Sequence, residues 1–158
     1  MNDWAIGIKA SVTLCLGALS SVLGAGVPLA VFFIATALID WLSGTACAMK
    51  HGAWTSQCAR EGLWHKTGEF ISLLVAAGVD ILIHYLSSYL PGISLNYKAC
   101  LLPLVCVWYI CTELGSILEN IGLMGAPIPK FLARMIEVLK GQIEKEGNEA
   151  EEEMRVEK

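Results

Sequence analysis

The chain has 158 residues and a formal net charge of −4, with 55% apolar residues, 16% charged residues and a mean hydropathy of +0.58. Soluble domains carry roughly 25% charged residues, and here the charges are also segregated: between Thr67 and Gly125 the acids and bases are Glu69, Asp80, Lys98, Glu113 and Glu119, whereas from Pro129 onward they dominate. This excludes an ordinary soluble domain and makes lipid the solvent for residues before about 125, while the acidic balance and the lack of a basic stripe exclude a nucleic-acid binder.

A membrane-crossing helix needs about 20 mainly apolar residues. Residues 6–26, IGIKASVTLCLGALSSVLGAG, are long enough to span if Lys9 reaches back to the interface. The alternative is an amphipathic helix lying in the membrane surface. Asp3 and Trp4 stand where a cleaved leader would carry basic residues, so no signal peptide is expected. Residues 27–49 form the clearest span, interrupted only by Asp40. Residues 68–90 form another, with Glu69 near its start and Asp80 and His84 inside it. Residues 99–124 form the last, carrying Glu113 and Glu119. The expected fold is all-α: a polytopic membrane protein with four, alternatively three, transmembrane helices within residues 1–126, followed by a C-terminal amphipathic helix.

Loop charge sets the expected orientation. The segment 50–66 carries Lys50, Arg60 and Lys66 against Glu61, and the segment 91–98 has only Lys98. The positive-inside rule then places residues 50–66 in the cytoplasm, and with them the C-terminus. Lys130, Arg134 and Lys140 after the last span agree. Pro127 and Pro129 form a helix-terminating turn, because proline cannot continue the backbone ladder. Residues 127–146 read as a cytoplasmic amphipathic helix with Phe131, Met135, Val138 and Leu139 on one face. Residues 147–158 are a charge run, expected to be disordered and acidic.

Polar groups inside the spans are the candidate functional residues, since each ionisable group at the centre of an inserted helix costs at least about 2.5–3.5 kcal/mol. Asp40 is followed within a turn by Ser43 and by Gly44, which permits close helix approach. Asp80 and His84 are four apart and share a face, which fits either a proton relay or a polar stripe turned to other helices. Glu113, Ser116 and Asn120 stand at i, i+3 and i+7 and make one stripe on the last span, while Glu119 falls on another face. Such a stripe lines either helix–helix contacts or an aqueous lumen. Motifs for hydrolases, zinc proteases and phosphate binding are absent, and His51, His65 and His84 are too widely separated for a helix-borne metal site, so catalysis, cofactor and metal are not expected. The six cysteines (Cys15, Cys47, Cys58, Cys100, Cys106, Cys111) contain no CxxC pair and call for neither a disulfide framework nor zinc.

The last span and the turn after it carry the most specific sequence. ELGSILENIGLMGAPIPKFL, Glu113 to Leu132, closely resembles the signature of the phage-lysis and toxin-secretion holin family, in which an acidic EGxSIxEN segment leads through a GxPxPxxL turn into an amphipathic tail. IDWLSG, Ile39 to Gly44, looks like the family's xDxxTG element with Ser43 at the Thr position, and SQCAREGLWHK, Ser56 to Lys66, is similar to the S…GxxxK loop. The resemblance covers residues from about 29 to 139. It departs at Leu114-Gly115, where the family usually has Gly then a variable residue, at His65, a place often taken by a second lysine, and in the acidic tail beyond Gly141. The resemblance implies a small phage or phage-derived protein of the bacterial cytoplasmic membrane that assembles with itself into large homo-oligomers. These open lesions through which an endolysin, or a large toxin without a signal peptide, leaves the cell. Asp40, Ser43, Gly44, Asp80, His84, Glu113, Ser116, Glu119 and Asn120 are then pore-lining or assembly residues. The alternative is a small-ion channel or transporter that uses Asp80, His84 and Glu113 as a relay.

Overall fold

The computed structural model describes residues 26–89 and 101–156, with the side chains beyond Glu152 left aside. The expected first span, apart from Gly26, and the connection 91–98 lie outside the described residues. Among the described residues the chain is helical without strands: α1 is Gly26–Lys50, α2 Ser56–Tyr89, α3 Leu101–Leu123 and α4 Lys130–Val156. The first three are long and apolar enough to cross a membrane.

The last span sits at the centre. α3 packs against α1, α2 and α4, most extensively against α1. α1 and α3 run parallel: Gly26 lies beside Leu102, the rings of Phe33 and Tyr109 are 5.7 Å apart, and the Lys50 ammonium donates to the Met124 carbonyl. α2 runs the other way, with Lys66 at Glu113 and Asp80 at the start of α3. A Cβ on Gly26 would come within 2.7 Å of Leu102 Cδ2, so glycine is what lets α1 begin against α3. The core between the helices is Val27, Phe33, Ala37, Leu73, Ala76, Leu102, Cys106 and Ile110. Its small members let backbones approach, which matters where close packing, rather than transfer out of water, drives helix association. The outside is apolar as well: Val31, Phe32, Leu38, Ile71, Leu74 and Val75 are each more than half exposed. A surface of this kind is stable against lipid and not against water.

Two glycines make the turns. Gly52 and Gly125 have φ of +66° and +93°. Ala53 donates to the Ala48 carbonyl and Gly52 to that of Met49, and Ala126 donates to Ile121 and Gly125 to Gly122. Both are Schellman ends, in which a left-handed residue reverses the chain and satisfies orphan carbonyls. The stop after α3 is therefore made by Gly125, two residues before the first of the prolines expected to make it. Pro127 and Pro129 delay the next helix, and the Pro129 carbonyl accepts the Leu132 N–H in its opening turn.

Two expected segments differ from the structure. Residues 50–66 are not a loop. Only His51–Thr55 connect the helices, because Thr55 Oγ1 accepts the Cys58 N–H at 3.1 Å as an N-cap and α2 starts at Ser56. Arg60 and Lys66 are thus helical, which removes Lys66 from the count of loop charges. Nor is the chain beyond Gly147 loose, since α4 continues through it to Val156. That stretch is rich in strong helix formers, a Lys145–Glu149 pair supports it at i,i+4, and Ala150 is buried. α4 also does not project away from the bundle: it folds back along α3, where the Trp108 indole N–H donates to Glu144 Oε1 at 2.9 Å and Lys140 Nζ sits 4.3 Å from the Trp108 ring.

Candidate functional site: a charged cluster between the three spans

One lysine organises the interior of the bundle. Lys66 Nζ, on α2, lies 2.9 Å from Asp40 Oδ2 on α1 and 3.5 Å from Glu69 Oε2 on its own helix, and it donates to Glu113 Oε2 on α3. Glu113 and Glu69 are almost completely buried, with 1% and 4% of their side chains exposed. On the adjoining turn Asn120 Nδ2 donates to Ser43 Oγ at 3.0 Å and to Asp40 Oδ1 at 3.3 Å. The Asn120 amide would lie 3.5 Å from a Cβ on Gly44, so the small residue makes room for this contact. Asp40 to Lys50, Ser56 to Lys66 and Glu113 to Leu123 are each ten residues, or about 15 Å along a helix. The cluster thus lies at one level on the three helices: inside the apolar stretches of α1 and α3, and where the apolar stretch of α2 begins.

Beside it is a cleft of about 310 Å³, lined by Asp40, Trp41, Gly44, Trp54, Gly62, Lys66, Glu69, Glu113, Ser116 and Asn120 among others. Three polar atoms on its wall, Trp41 Nε1, Glu69 Oε2 and Glu113 Oε1, are buried without a hydrogen-bond partner. Three carboxylates meet one ammonium here. The arrangement ties three helices in one register, because each helix contributes a group that is costly to leave in an apolar environment alone. Among the described residues no group of His, Cys, Asp and Glu has the geometry of a metal site.

The structure brings together Asp40, Ser43, Gly44, Glu113, Ser116 and Asn120, and shows that the stripe on α3 faces α1 and α2 within the bundle. The remaining candidates lie elsewhere. Asp80 accepts the backbone N–H of Leu101 and Leu102 at 2.8 and 2.9 Å, one on each oxygen, and so caps the N-terminus of α3, where the helix dipole favours a carboxylate. His84 is exposed, one turn further on. Glu119 is exposed too and lines a second cavity, between α3 and α4, with Ser116, Glu137 and Lys140. Asp80 is eleven residues from Glu69 on α2, about 16 Å along the helix, so Asp80, His84 and Glu113 do not form a continuous relay. Lys66 and Glu69 join the site without being among the residues that the sequence singles out for it. Their spacing of three, on one helix face, is the available signal, hidden by the reading of residues 50–66 as a loop.

Comparison with known proteins agrees with this architecture. The chain matches the model of the bacteriophage holin family over residues 17–141. It is 29% identical over 134 residues to an uncharacterized protein of Halalkalibacterium halodurans, covering 85% of this chain and 94% of that protein. No solved structure matches. Holins are membrane proteins and not a family of enzymes, and the described residues hold three helices long and apolar enough to cross a membrane. With the match extending over most of its length, the chain belongs to the bacteriophage holin family.

Proposed function

We propose that this chain acts as a holin: it accumulates in the bacterial cytoplasmic membrane, assembles with copies of itself and opens lesions that release an endolysin or a toxin lacking a signal peptide. The observation that carries the reading is the family match over residues 17–141, laid on a bundle whose three spans share a charged cluster. Physical size supports self-assembly. The cavities beside the charged cluster and between α3 and α4 hold a few hundred Å³ each, far too little for a folded enzyme, so a protein-sized opening needs many copies. The bundle end that carries Lys50, Arg60, Lys130 and Arg134 faces the cytoplasm by the positive-inside rule.

Inducible expression in a bacterium tests this. The expected result is abrupt loss of membrane potential, and lysis when a muralytic enzyme is co-expressed. Sustained growth with an intact potential, at protein levels visible in the membrane fraction, contradicts it. Glu113→Leu is expected to shift the time of opening or abolish it, because Lys66, Asp40 and Glu69 would then be left with an altered charge balance between the helices. Unchanged timing rules out an assembly role for Glu113.

A further inference from the structure

The placement of α4 conflicts with an intact bilayer. It leaves α3 through the Gly125 turn and returns antiparallel beside it: Ala133 and Ile136 share a cavity with Gly115 and Thr112, Lys140 sits over Trp108, and Glu144 accepts the Trp108 N–H. Trp108 is fifteen residues from Leu123 and Glu144 is fourteen from Lys130, so both lie about 21–23 Å from the turn. That depth is well past the middle of the hydrocarbon layer. Between Lys140 and the level of Leu101 the helix carries Glu144, Glu146 and Glu149 beside Lys145, and it runs beside the most apolar part of α3, from Thr112 back toward Leu101. Charges in such number are not held against lipid. They are compatible with this packing only where water fills the space on the α4 side of the last span.

We propose that docking of α4 on the last span is coupled to opening: in a sealed membrane α4 lies off the span in water, and in the open assembly it docks along α3 and turns its acidic faces to the water-filled lumen. The inference rests on the lesion-forming reading of the chain. The clasp has the strength to be selective rather than permanent. It consists of one indole–carboxylate hydrogen bond, one cation–π contact and the packing of Ala133, Ile136 and Ile128. The stripe Phe131, Met135, Val138 and Leu139, of which about half or more is exposed in the docked state, gives the undocked helix an apolar face for the membrane surface.

The test uses the full chain with Trp108→Cys and Glu144→Cys, expressed in cells and treated with a short bifunctional thiol reagent before and after the membrane potential collapses. Each single substitution serves as the control for the native thiols, and the intramolecular cross-link is located by mass spectrometry. The expected result is a cross-link at least several-fold more abundant after collapse than before. Equal cross-linking in the sealed and open membrane, or none in either, overturns the coupling while leaving the lesion reading intact. Cells that express the protein and never depolarise sink the lesion reading, and the coupling with it. Because the substitutions remove the clasp itself, a second pair, Gly115→Cys with Ile136→Cys, is run in parallel, and it is expected to give the same change.

Discussion

At the scale of single residues, Lys66 is the position on which the interior depends. It faces Asp40, Glu69 and Glu113 from three directions, and deleting one partner of a buried ion network costs far more than exchanging the whole network for apolar groups. Lys66→Met is expected to destabilise the protein by about 3–5 kcal/mol, read as a loss of thermal stability in mild detergent, whereas Lys66→Arg retains most of it. Equal stability of Lys66→Met and the parent chain contradicts the assignment. Asp80 is a different kind of acid. Its two oxygens take two N–H groups of α3 that have no partner within the helix. Asp80→Ala is expected to cost about 0.5–2 kcal/mol, and Asp80→Asn less, since the amide oxygen still accepts one bond. A cost for Asp80→Ala as large as that for Lys66→Met would mean that Asp80 belongs to the charged interior.

At the scale of elements, the helix ends are set by backbone geometry. Gly125 at φ +93° closes α3, and a side chain there meets the steric cost of the left-handed region, about 1 kcal/mol. Gly125→Val is expected to lower stability by about 1–2 kcal/mol and to weaken the turn that starts α4 back along α3, measured as faster proteolysis after Lys130. Unchanged proteolysis would show that the turn does not direct α4. The elements also show what can be read from residues alone. Hydropathy locates the three described spans, because twenty apolar residues admit few other structures in lipid. It misplaces the start of α2 by about three turns, because Arg60, Glu61 and Lys66 look like loop charges until their partners are known. Gln57 pairs with Glu61 along the helix, and Lys66 points inward. The α3 stripe is legible from spacing, and its partners Asp40 and Ser43 are legible as polar interruptions. Lys66, which joins them, is not, since an ion pair between positions 66 and 113 leaves no periodic trace. The tip of α4 misleads for a related reason: acidic composition argues for solvation, and helix propensity with the Lys145–Glu149 pair prevails.

At the scale of the whole molecule, the bundle presents an apolar exterior and a charged cluster between its helices, with an acid-rich helix on one flank. A single copy turns its polar stripe inward to Asp40, Ser43 and Lys66, so that along the last span the exposed charges are Glu119 and those of α4. Under the proposed lesion-forming role, this would let the chain accumulate in a membrane before opening it, with the opening made by the assembly rather than by the fold of one copy. The size of the passing molecule decides between a holin lesion and a small-ion channel. Purified full-length protein reconstituted into liposomes that hold both a small dye and a folded, fluorescently labelled muralytic enzyme gives the most direct measurement. Release of both, with a steep dependence on protein-to-lipid ratio, is the expected result; release of dye with complete retention of the enzyme at every ratio would contradict it.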